Sequence, residues 1–204
     1  MIYGCMPPPF THGNRFFPCL VGSARVRGAK LIINHLEKKR EKILAVLRNS
    51  DRWNAQEGLI VEQVMTPSPE CISTSQSVLD VVKLFHARGH RHLLVVGEQD
   101  QLIGVISDRD VLRCFGPDKY PDPSRLASIS AAEIMSTDVI TISSKTPLHK
   151  AITITVEHGI SSLPIVDDGT LVGILTDTDL RLLLERLLPM LRESPVVASS
   201  SPLH

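Results

Sequence analysis

The apolar residues near the start of this chain follow a helical spacing. In the segment NHLEKKREKILAVLRN (34–49), one face would carry Leu36, Ile43, Leu44 and Leu47. Asn34 is placed to cap the first turn. We predict a packing or dimer helix here, within a region 31–60 that holds this helix and a linker.

Residues 1–30 show no periodicity and are rich in Pro, Gly and Arg, which predicts an irregular or disordered N-terminus. The abrupt change in composition near Lys30 also raises the hypothesis that the reading frame is over-extended at its start. An intact mass of the natively expressed protein that included Met1 or Ile2 would rule this hypothesis out.

From residue 61 onward the apolar pattern occurs twice. VMTPSPECIS (64–73) matches IMSTDVITIS (134–143), 70 residues later. RHLLVV (91–96) matches SSLPIV (161–166) at the same separation. A solenoid would have shorter and more numerous repeats. The register therefore predicts one duplicated half, with its two copies packed about a pseudo-twofold axis.

Each copy predicts the order strand, helix, strand, strand, helix. The first strands fall at 71–72 and 139–142, and the paired strands that follow are apolar enough to be covered on both faces. Helix boundaries are indicated by Ser77 with Asp80, by Thr146 as a cap with Pro147 at the first helical position, and by Gly89 and Gly159 as C-terminal caps. The predicted fold class is α/β (α+β), two βαββα repeats with an N-terminal helix.

Composition narrows the class of protein. Hydrophobic residues at 43% and charged residues at 22% are typical of a soluble globular protein. Lys plus Arg equals Asp plus Glu, 22 against 22, which argues against general nucleic-acid binding. No apolar run approaches the length of a membrane span, and MIYGCMPPPF is a poor signal peptide. The four cysteines form no C-x-x-C pair, so we expect reduced thiols and a cytoplasmic location.

The repeated segments GVISDRD (104–110) and GILTDTD (173–179) carry the candidate chemistry. Ser-x-x-Asp between a strand and a helix is typical of a capping box, so the carboxylates could simply stabilise two helix starts. The alternative is a binding site. Glycine inside a strand often marks a close approach of backbone or ligand, and a helix start favours anions. A carboxylate there could also accept the two neighbouring hydroxyls of a ribose.

The ordered set of motifs resembles a tandem pair of CBS domains, named after cystathionine beta-synthase, which together form a Bateman module. The residues that carry it are VMTP, SVLDVVKLFHARGHRHLLVV and LIGVISDRDVL in the first copy, and IMSTDVITIS, ISSLPIVDDGTLVGIL and TDTDL in the second. On this resemblance the chain divides into repeat 1 (61–118), a linker (119–130), repeat 2 (131–188) and a C-terminal tail (189–204).

The resemblance implies an adenine nucleotide (AMP, ADP or ATP) or an S-adenosylmethionine type ligand, bound in clefts between the repeats, and no covalent cofactor. In the family pattern the hydroxyl and the final Asp hold the ribose, here Ser107 with Asp110 and Thr176 with Asp179. Family members that bind phosphorylated ligands often carry basic residues before the second strand.

Only the first copy has such residues, so we expect Arg91 and His92 to hold the phosphate. The second copy has Ser161 and Ser162 at these positions. It also keeps Pro164, where the first copy has Leu94, so the two base slots are expected to differ in shape.

Other chemistries find less support. His86, His90 and His92 lie close together, but no acidic or Cys ligand accompanies them and Gly89 ends the helix between the first two, so we predict no metal site. We find no nucleophile–base set, phosphate loop or Rossmann fingerprint, and expect no enzyme activity. The expected protein is a stand-alone regulatory sensor that forms a homodimer and acts on itself or on an unidentified regulated protein. The alternative is an interaction or oligomerisation module with empty clefts, and a small hydrolase or transferase is a third class.

Overall fold

The structure, a computed structural model, describes residues 24–48, 58–115 and 122–193. The helices are α1 (Ala24–Arg48), α2 (Val61–Val64), α3 (Val78–Arg88), α4 (Asp108–Arg113), α5 (Pro123–Ser128), α6 (Ala131–Ile134), α7 (Leu148–His158) and α8 (Asp177–Glu193). The strands are β1 (Thr66–Pro67), β2 (Cys71–Ser73), β3 (His92–Val96), β4 (Leu102–Ser107), β5 (Ser162–Asp167) and β6 (Thr170–Thr176). The predicted mixed fold of two repeats is confirmed.

The strands form two three-stranded sheets, one centred on each repeat. In the first, β2 runs parallel to β3, and β3 pairs antiparallel with β4. In the second, β5 pairs antiparallel with β6, and the outer position beside β6 is taken by β1. Because β1 belongs to the first repeat, the second sheet contains a strand from the other half of the chain.

The segments that lead into the two repeats are exchanged reciprocally. Thr66 pairs with Ile174 of the second repeat, and Ser136 pairs with Val105 of the first through two backbone hydrogen bonds of 3.0 and 2.9 Å. A second exchanged pair of bridges lies further out, at Ile60↔Pro147 and Ser77↔Ser130. This reciprocity agrees with the pseudo-twofold relation between the repeats.

Each hydrophobic core is closed by the leading segment of the other repeat. The core of the second repeat contains Val61, Val64 and Met65, which precede the first repeat's strands. The core of the first repeat contains Ala131, with Met135 packed against it. The two apolar clusters therefore do not coincide with the two sequence repeats, and neither repeat buries its core alone.

The glycines of the repeated motif lie where these exchanged segments cross the sheets. A Cβ at Gly104 would stand 2.8 Å from Met135 Sδ and 3.0 Å from the Ser136 carbonyl oxygen. A Cβ at Gly173 would stand 2.6 Å from Met65 Sδ and 3.1 Å from the carbonyl oxygen that follows it, at Thr66. Of the two predicted reasons for these glycines, close approach of backbone is the one observed.

We expect Gly173→Ala to lower the free energy of unfolding by about 1–3 kcal/mol, because the added methyl group overpacks a closed core. Urea denaturation at constant pH measures the change. Gly97→Ala is the matched control. Its Cβ would meet the end of the Gln101 side chain and the terminal methyl group of Ile103, which can move aside, and its loss should stay below about 1 kcal/mol. Equal losses in the two variants would contradict the role assigned to the crossing segment.

Several predicted boundaries need correction. Helix α1 begins at Ala24, so Asn34 lies inside the helix, and residues 24–30 are helical rather than irregular. Residues 1–23 lie outside the described residues. Helix α5 lies within the predicted linker 119–130, and α8 continues to Glu193, inside the predicted tail 189–204.

Near the second helix start, α7 begins at Leu148 with Pro147 as its N-cap, one residue later than predicted from Thr146. The remaining caps are confirmed, because Ser77 accepts a hydrogen bond from the Asp80 amide and both Gly89 and Gly159 adopt the left-handed conformation.

The predicted strand at 139–142 is wrong, because only Ile142 forms a bridge, with Ile165. The Ile142 amide donates to the Pro164 carbonyl at 3.2 Å, so the backbone of Pro164 faces this segment. Proline has no N–H to return, and the parallel ladder stops after one rung. Leu94, at the matching place in the first repeat, keeps its N–H and pairs with Cys71.

Within the described stretches, none of the helices has the length and apolar character that crossing a bilayer requires.

Candidate functional site

Both Ser/Thr-x-x-Asp corners form where the last strand of a repeat turns into a helix. Ser107 caps α4: its amide and hydroxyl donate to Asp110 Oδ2 at 2.8 and 2.6 Å, and its oxygen accepts from the Asp110 amide. Thr176 donates to Asp179 Oδ2 in the same way, at 2.9 and 2.6 Å. The capping interpretation is therefore confirmed at Ser107, and at both corners these bonds occupy one carboxylate oxygen of the Asp. The other oxygen, Oδ1, is the atom that could serve a ligand.

The two Oδ1 atoms have different partners. At Asp110, the donor to Oδ1 among the described residues is Arg113, at 2.8 Å, and this side chain is 77% exposed. At Asp179, Oδ1 accepts from Lys39 Nζ at 2.8 Å and from Thr66 Oγ1 at 3.1 Å. Asp179 is 1% exposed and Lys39 16%, so both partners of this second ion pair are shielded from water. In the first pair Asp110 is 11% exposed, and its partner Arg113 is the group that is open to water.

A cleft of about 250 Å³ opens beside the first corner. Ser107, Asp110 and the two arginines of α4, Arg109 and Arg113, line one side of it. The other side comes from the second repeat and is lined by Ser136, Asp138, Val139, Ile140, Gly159, Ile160, Ser161, Ser162 and Pro164. We call this the Asp110 cleft. It combines an acceptor corner, an apolar wall and the hydroxyls of three serines on that wall.

A larger cleft of about 610 Å³ opens beside the second corner. The second repeat lines it with Thr176, Asp177 and Thr178, and the first repeat lines it with segments 66–70 and 88–92. Helix α1 closes one side with His35, Lys38 and Lys39. We call this the Thr176 cleft. The clefts are thus related by the pseudo-twofold axis, except that α1 covers only this one.

The predicted site residues divide between the two clefts. Ser107, Asp110 and Pro164 line the Asp110 cleft. Thr176 and Arg91 line the Thr176 cleft, and His92 lines both. The seventh predicted residue, Asp179, is buried behind Thr176. Each Ser/Thr-x-x-Asp corner therefore faces the pre-strand residues of the opposite repeat, so Arg91 lies across from Thr176, and Ser161 and Ser162 lie across from Ser107.

His92 connects the two clefts through a contact of 2.9 Å between its Nε2 and Ser161 Oγ. Burial lowers the pKa of His92, and although Asp108, Asp177 and Asp110 oppose this effect, the net shift is downward. The imidazole is therefore neutral at pH 7. The permanent positive charge at this end comes from Arg91, whose Nε lies 3.2 Å from Asp108 Oδ2.

Of the other histidines considered as metal ligands, His90 is held by polar contacts. His90 Nε2 lies 3.1 Å from Glu70 Oε2, which also pairs with Arg88 at 3.7 Å, and the His90 ring makes an edge contact with His35. In the parts of the chain that the structure describes, no three His, Cys, Asp or Glu side chains gather as metal ligands would.

Sequence reasoning missed several residues of the clefts. The wall at 138–140 could have been found from the repeat offset, because it matches the segment after Met65 in the first repeat. Lys39 could not, since it lies outside the repeats and contacts a residue 140 positions away. Nothing in the spacing of α1 distinguishes Lys39 from its neighbours Lys38 and Arg40.

The family model for the CBS domain matches the chain twice, at residues 61–116 and 131–186. An uncharacterized protein of Methanopyrus kandleri is 34% identical over 119 residues, which is 57% of this chain and 56% of that protein. A homoserine O-acetyltransferase of Methanocorpusculum labreanum is 33% identical over 61% of this chain but only 24% of the enzyme. The chain thus spans about half or less of the length of these relatives.

Two similar solved structures contain adenosyl compounds. One is the CBS domain pair of protein MJ0100 in complex with 5′-methylthioadenosine and S-adenosyl-L-methionine. Its TM-score is 0.52 at 25% identity, and the match covers 65% of this chain and 97% of the MJ0100 chain. The other is CBSX2 in complex with AMP. Its TM-score is 0.54 at 26% identity, and the match covers 63% of this chain and 98% of the CBSX2 chain.

Proposed function

Because the chain belongs to the CBS domain family, as a tandem CBS pair, we propose that it is a regulatory module that binds an adenosyl ligand in the Asp110 cleft. The observation that carries the proposal is that Asp110 lines a cleft between the repeats, and that its Oδ1 atom is paired with one exposed arginine. The MJ0100 and CBSX2 structures support the ligand class, since they hold S-adenosylmethionine, methylthioadenosine and AMP.

The Asp110 cleft offers a partner for each part of such a ligand. Ribose hydroxyls would donate to Asp110 Oδ1 once Arg113 turns away. That movement costs little, because an exposed ion pair contributes at most about 1 kcal/mol. The apolar wall at Val139, Ile140 and Pro164 would cover the base. The cleft is just below the usual range of about 300–1,000 Å³, so it suits a nucleoside whose 5′ group extends toward its mouth.

The two arginines of α4 lie where that 5′ group would emerge. Arg109 and Arg113 could pair with a phosphate of AMP or with the carboxylate of S-adenosylmethionine, since both anions accept guanidinium hydrogen bonds. The ligand class proposed is therefore an adenosine with an anionic 5′ extension. In this proposal Arg91 binds no ligand in the Asp110 cleft.

Binding between the repeats gives the ligand a way to act as a regulator. Ligand contacts on both walls of a cleft bias the relative packing of those walls. The helices that lead away from the cleft carry exposed apolar side chains, Ile152 and Val156 on α7 and Leu184 and Leu188 on α8. These provide apolar surface for the expected homodimer or for a regulated protein. We propose a binding role and no catalytic one.

Asp110→Asn should weaken adenosyl binding by about 10- to 100-fold, because a hydrogen bond to a charged group contributes about 1.5–3 kcal/mol. Asparagine keeps an acceptor for the Ser107 amide, so the helix cap survives. Thermal unfolding and titration calorimetry with AMP, ADP, ATP and S-adenosylmethionine measure the effect. At 100 times Kd the ligand adds about 2.7 kcal/mol, or about 5–10 °C in Tm.

The matched control is Asp108→Asn, which removes the same charge from the same helix at a residue paired with Arg91. It should bind like the wild type. Equal affinity in Asp110→Asn would place the ligand elsewhere. No response to any adenosyl compound would favour the interaction module, and conversion of the ligand over hours would favour an enzyme.

A further inference from the structure

The buried carboxylate of Asp179 already has a full set of hydrogen-bond donors. Oδ2 accepts from the amide and the hydroxyl of Thr176, and Oδ1 accepts from Lys39 Nζ and Thr66 Oγ1. A carboxylate offers about four acceptor positions. With all four taken, Asp179 has no position for the hydroxyls of a ribose, whereas Asp110 has one position covered by an exposed arginine.

Helix α1 fixes Lys39 over the second corner. Ile43 and Leu47, one and two turns further along α1, are buried at 2% and 3% exposure in the core of the second repeat. Lys42 adds a hydrogen bond of 2.7 Å to the Met65 carbonyl. The helix is thus anchored by apolar and polar contacts, and these contacts direct Lys39 at Asp179.

The Lys39–Asp179 ion pair is hard for a neutral ligand to displace. Asp179 is almost fully buried, and a hydroxyl that replaced the ammonium group would leave the carboxylate without a countercharge. Leaving a buried charge unpaired is strongly unfavourable. At Asp110 the carboxylate is 11% exposed, and the corresponding exchange frees an arginine that is already solvated at 77% exposure.

We propose that Lys39 is an internal substitute for the ligand ribose, and that it restricts the chain to one adenosyl ligand, bound in the Asp110 cleft. This inference rests on the function proposed above. It makes Lys39 a specificity-determining residue from outside the two repeats: the repeats alone provide two ribose corners, and α1 closes one of them. The Thr176 cleft stays open as a space but loses its ribose acceptor.

The test is the number of ligands bound per chain, measured by equilibrium dialysis and titration calorimetry with AMP and with S-adenosylmethionine. Wild-type protein should bind one, and Asp110→Asn should bind that one ligand only with the affinity lowered by about 10- to 100-fold. Lys39→Met should bind two, and Lys39→Met with Asp110→Asn should bind one, in the Thr176 cleft. Lys83→Met, which removes an exposed lysine paired with Asp80, is the control and should bind one.

The outcomes separate the inference from the proposed function. Binding of two ligands by the wild type, or of one by Asp110→Asn at the wild-type affinity, overturns the inference and leaves adenosyl binding standing. Weaker total binding in Lys39→Met would also overturn it, because Lys39 would then be a ligand contact. No binding by any variant overturns the proposed function itself. Should Lys39→Met fail to fold, the number of ligands bound by the wild type and the affinity of Asp110→Asn can still contradict the inference.

Discussion

Asp179→Ala is expected to lower the free energy of unfolding by about 3–5 kcal/mol, the cost typical of breaking a shielded ion pair by removing one partner. The substitution leaves the Lys39 ammonium group without its countercharge at 16% exposure. It also removes the acceptor for the Thr176 amide and for the hydroxyls of Thr176 and Thr66. Urea denaturation at pH 7 measures the loss.

Asp177→Ala is the control for this prediction, because it removes a carboxylate from the same helix turn. Asp177 is 39% exposed and lies 3.6 Å from Arg181, an arrangement that contributes at most about 1 kcal/mol. A double-mutant cycle that combines Asp179→Ala with Lys39→Met isolates the energy of the pair itself. Similar losses for Asp177→Ala and Asp179→Ala would show that the buried ion pair does not stabilise the fold.

Ile43→Ala is expected to cost about 2–5 kcal/mol, the range for removing a buried aliphatic side chain and leaving a cavity. Ile43 is 2% exposed and lies in the same apolar cluster as Leu163 and Leu175 of the second repeat. The loss should appear in one cooperative transition, since α1 and the second repeat share a core. Circular dichroism and amide hydrogen exchange of α1 and of the second repeat, followed through urea unfolding, should therefore give the same midpoint.

Ile33→Ala changes the same residue type on the same helix at a side chain that is 56% exposed. Its effect should stay within about 0.5 kcal/mol. If Ile43→Ala cost as little as Ile33→Ala, or if α1 unfolded in a separate transition, the helix would be an appendage and could not fix Lys39 over the second corner.

Most of the fold could be predicted from the sequence because two copies of one pattern constrain each other. The offset of 70 residues aligned Gly89 with Gly159, and a glycine that ends a helix in the left-handed conformation is a local signal that sequence carries well. The junctions at Ser107 and Thr176 were found in the same way. The domain boundaries and the site assignments stay predictions.

The failures arise where a partner far along the chain decides the local structure. Residues 139–142 have the apolar alternation of a strand, but Pro164 of β5 cannot supply the donor that a second rung needs. From the sequence, the motif glycines could mark the close approach of either a ligand or a backbone segment. What lies beside them is decided by Met65 and Met135, which come from the opposite repeats. The start of α1 was placed late because its first turns show no clear apolar periodicity.

The site shows the same division between local and distant causes. The hydrogen bond from the Ser or Thr hydroxyl to the Asp carboxylate is encoded within four residues at each corner, which is why both corners could be found from the sequence. The corners differ in the partner of the second carboxylate oxygen. At Asp110 this partner is Arg113, three residues away, and at Asp179 it is Lys39, 140 residues away. The two motifs are closely similar, yet the chemistry of their carboxylates differs because the residues that pair with them lie outside both motifs.

The exchange of leading segments gives the chain a reason to hold both repeats in one polypeptide. Thr66 completes the second sheet and Ser136 bridges to the first, so an isolated repeat would have to recruit a second molecule to cover its core. Such an association would be bimolecular and would weaken on dilution. Joining both repeats in one polypeptide supplies each leading segment at a high effective concentration, set by the connecting chain rather than by the amount of protein in the cell. The geometry of the clefts, which lie between the repeats, then becomes independent of expression level.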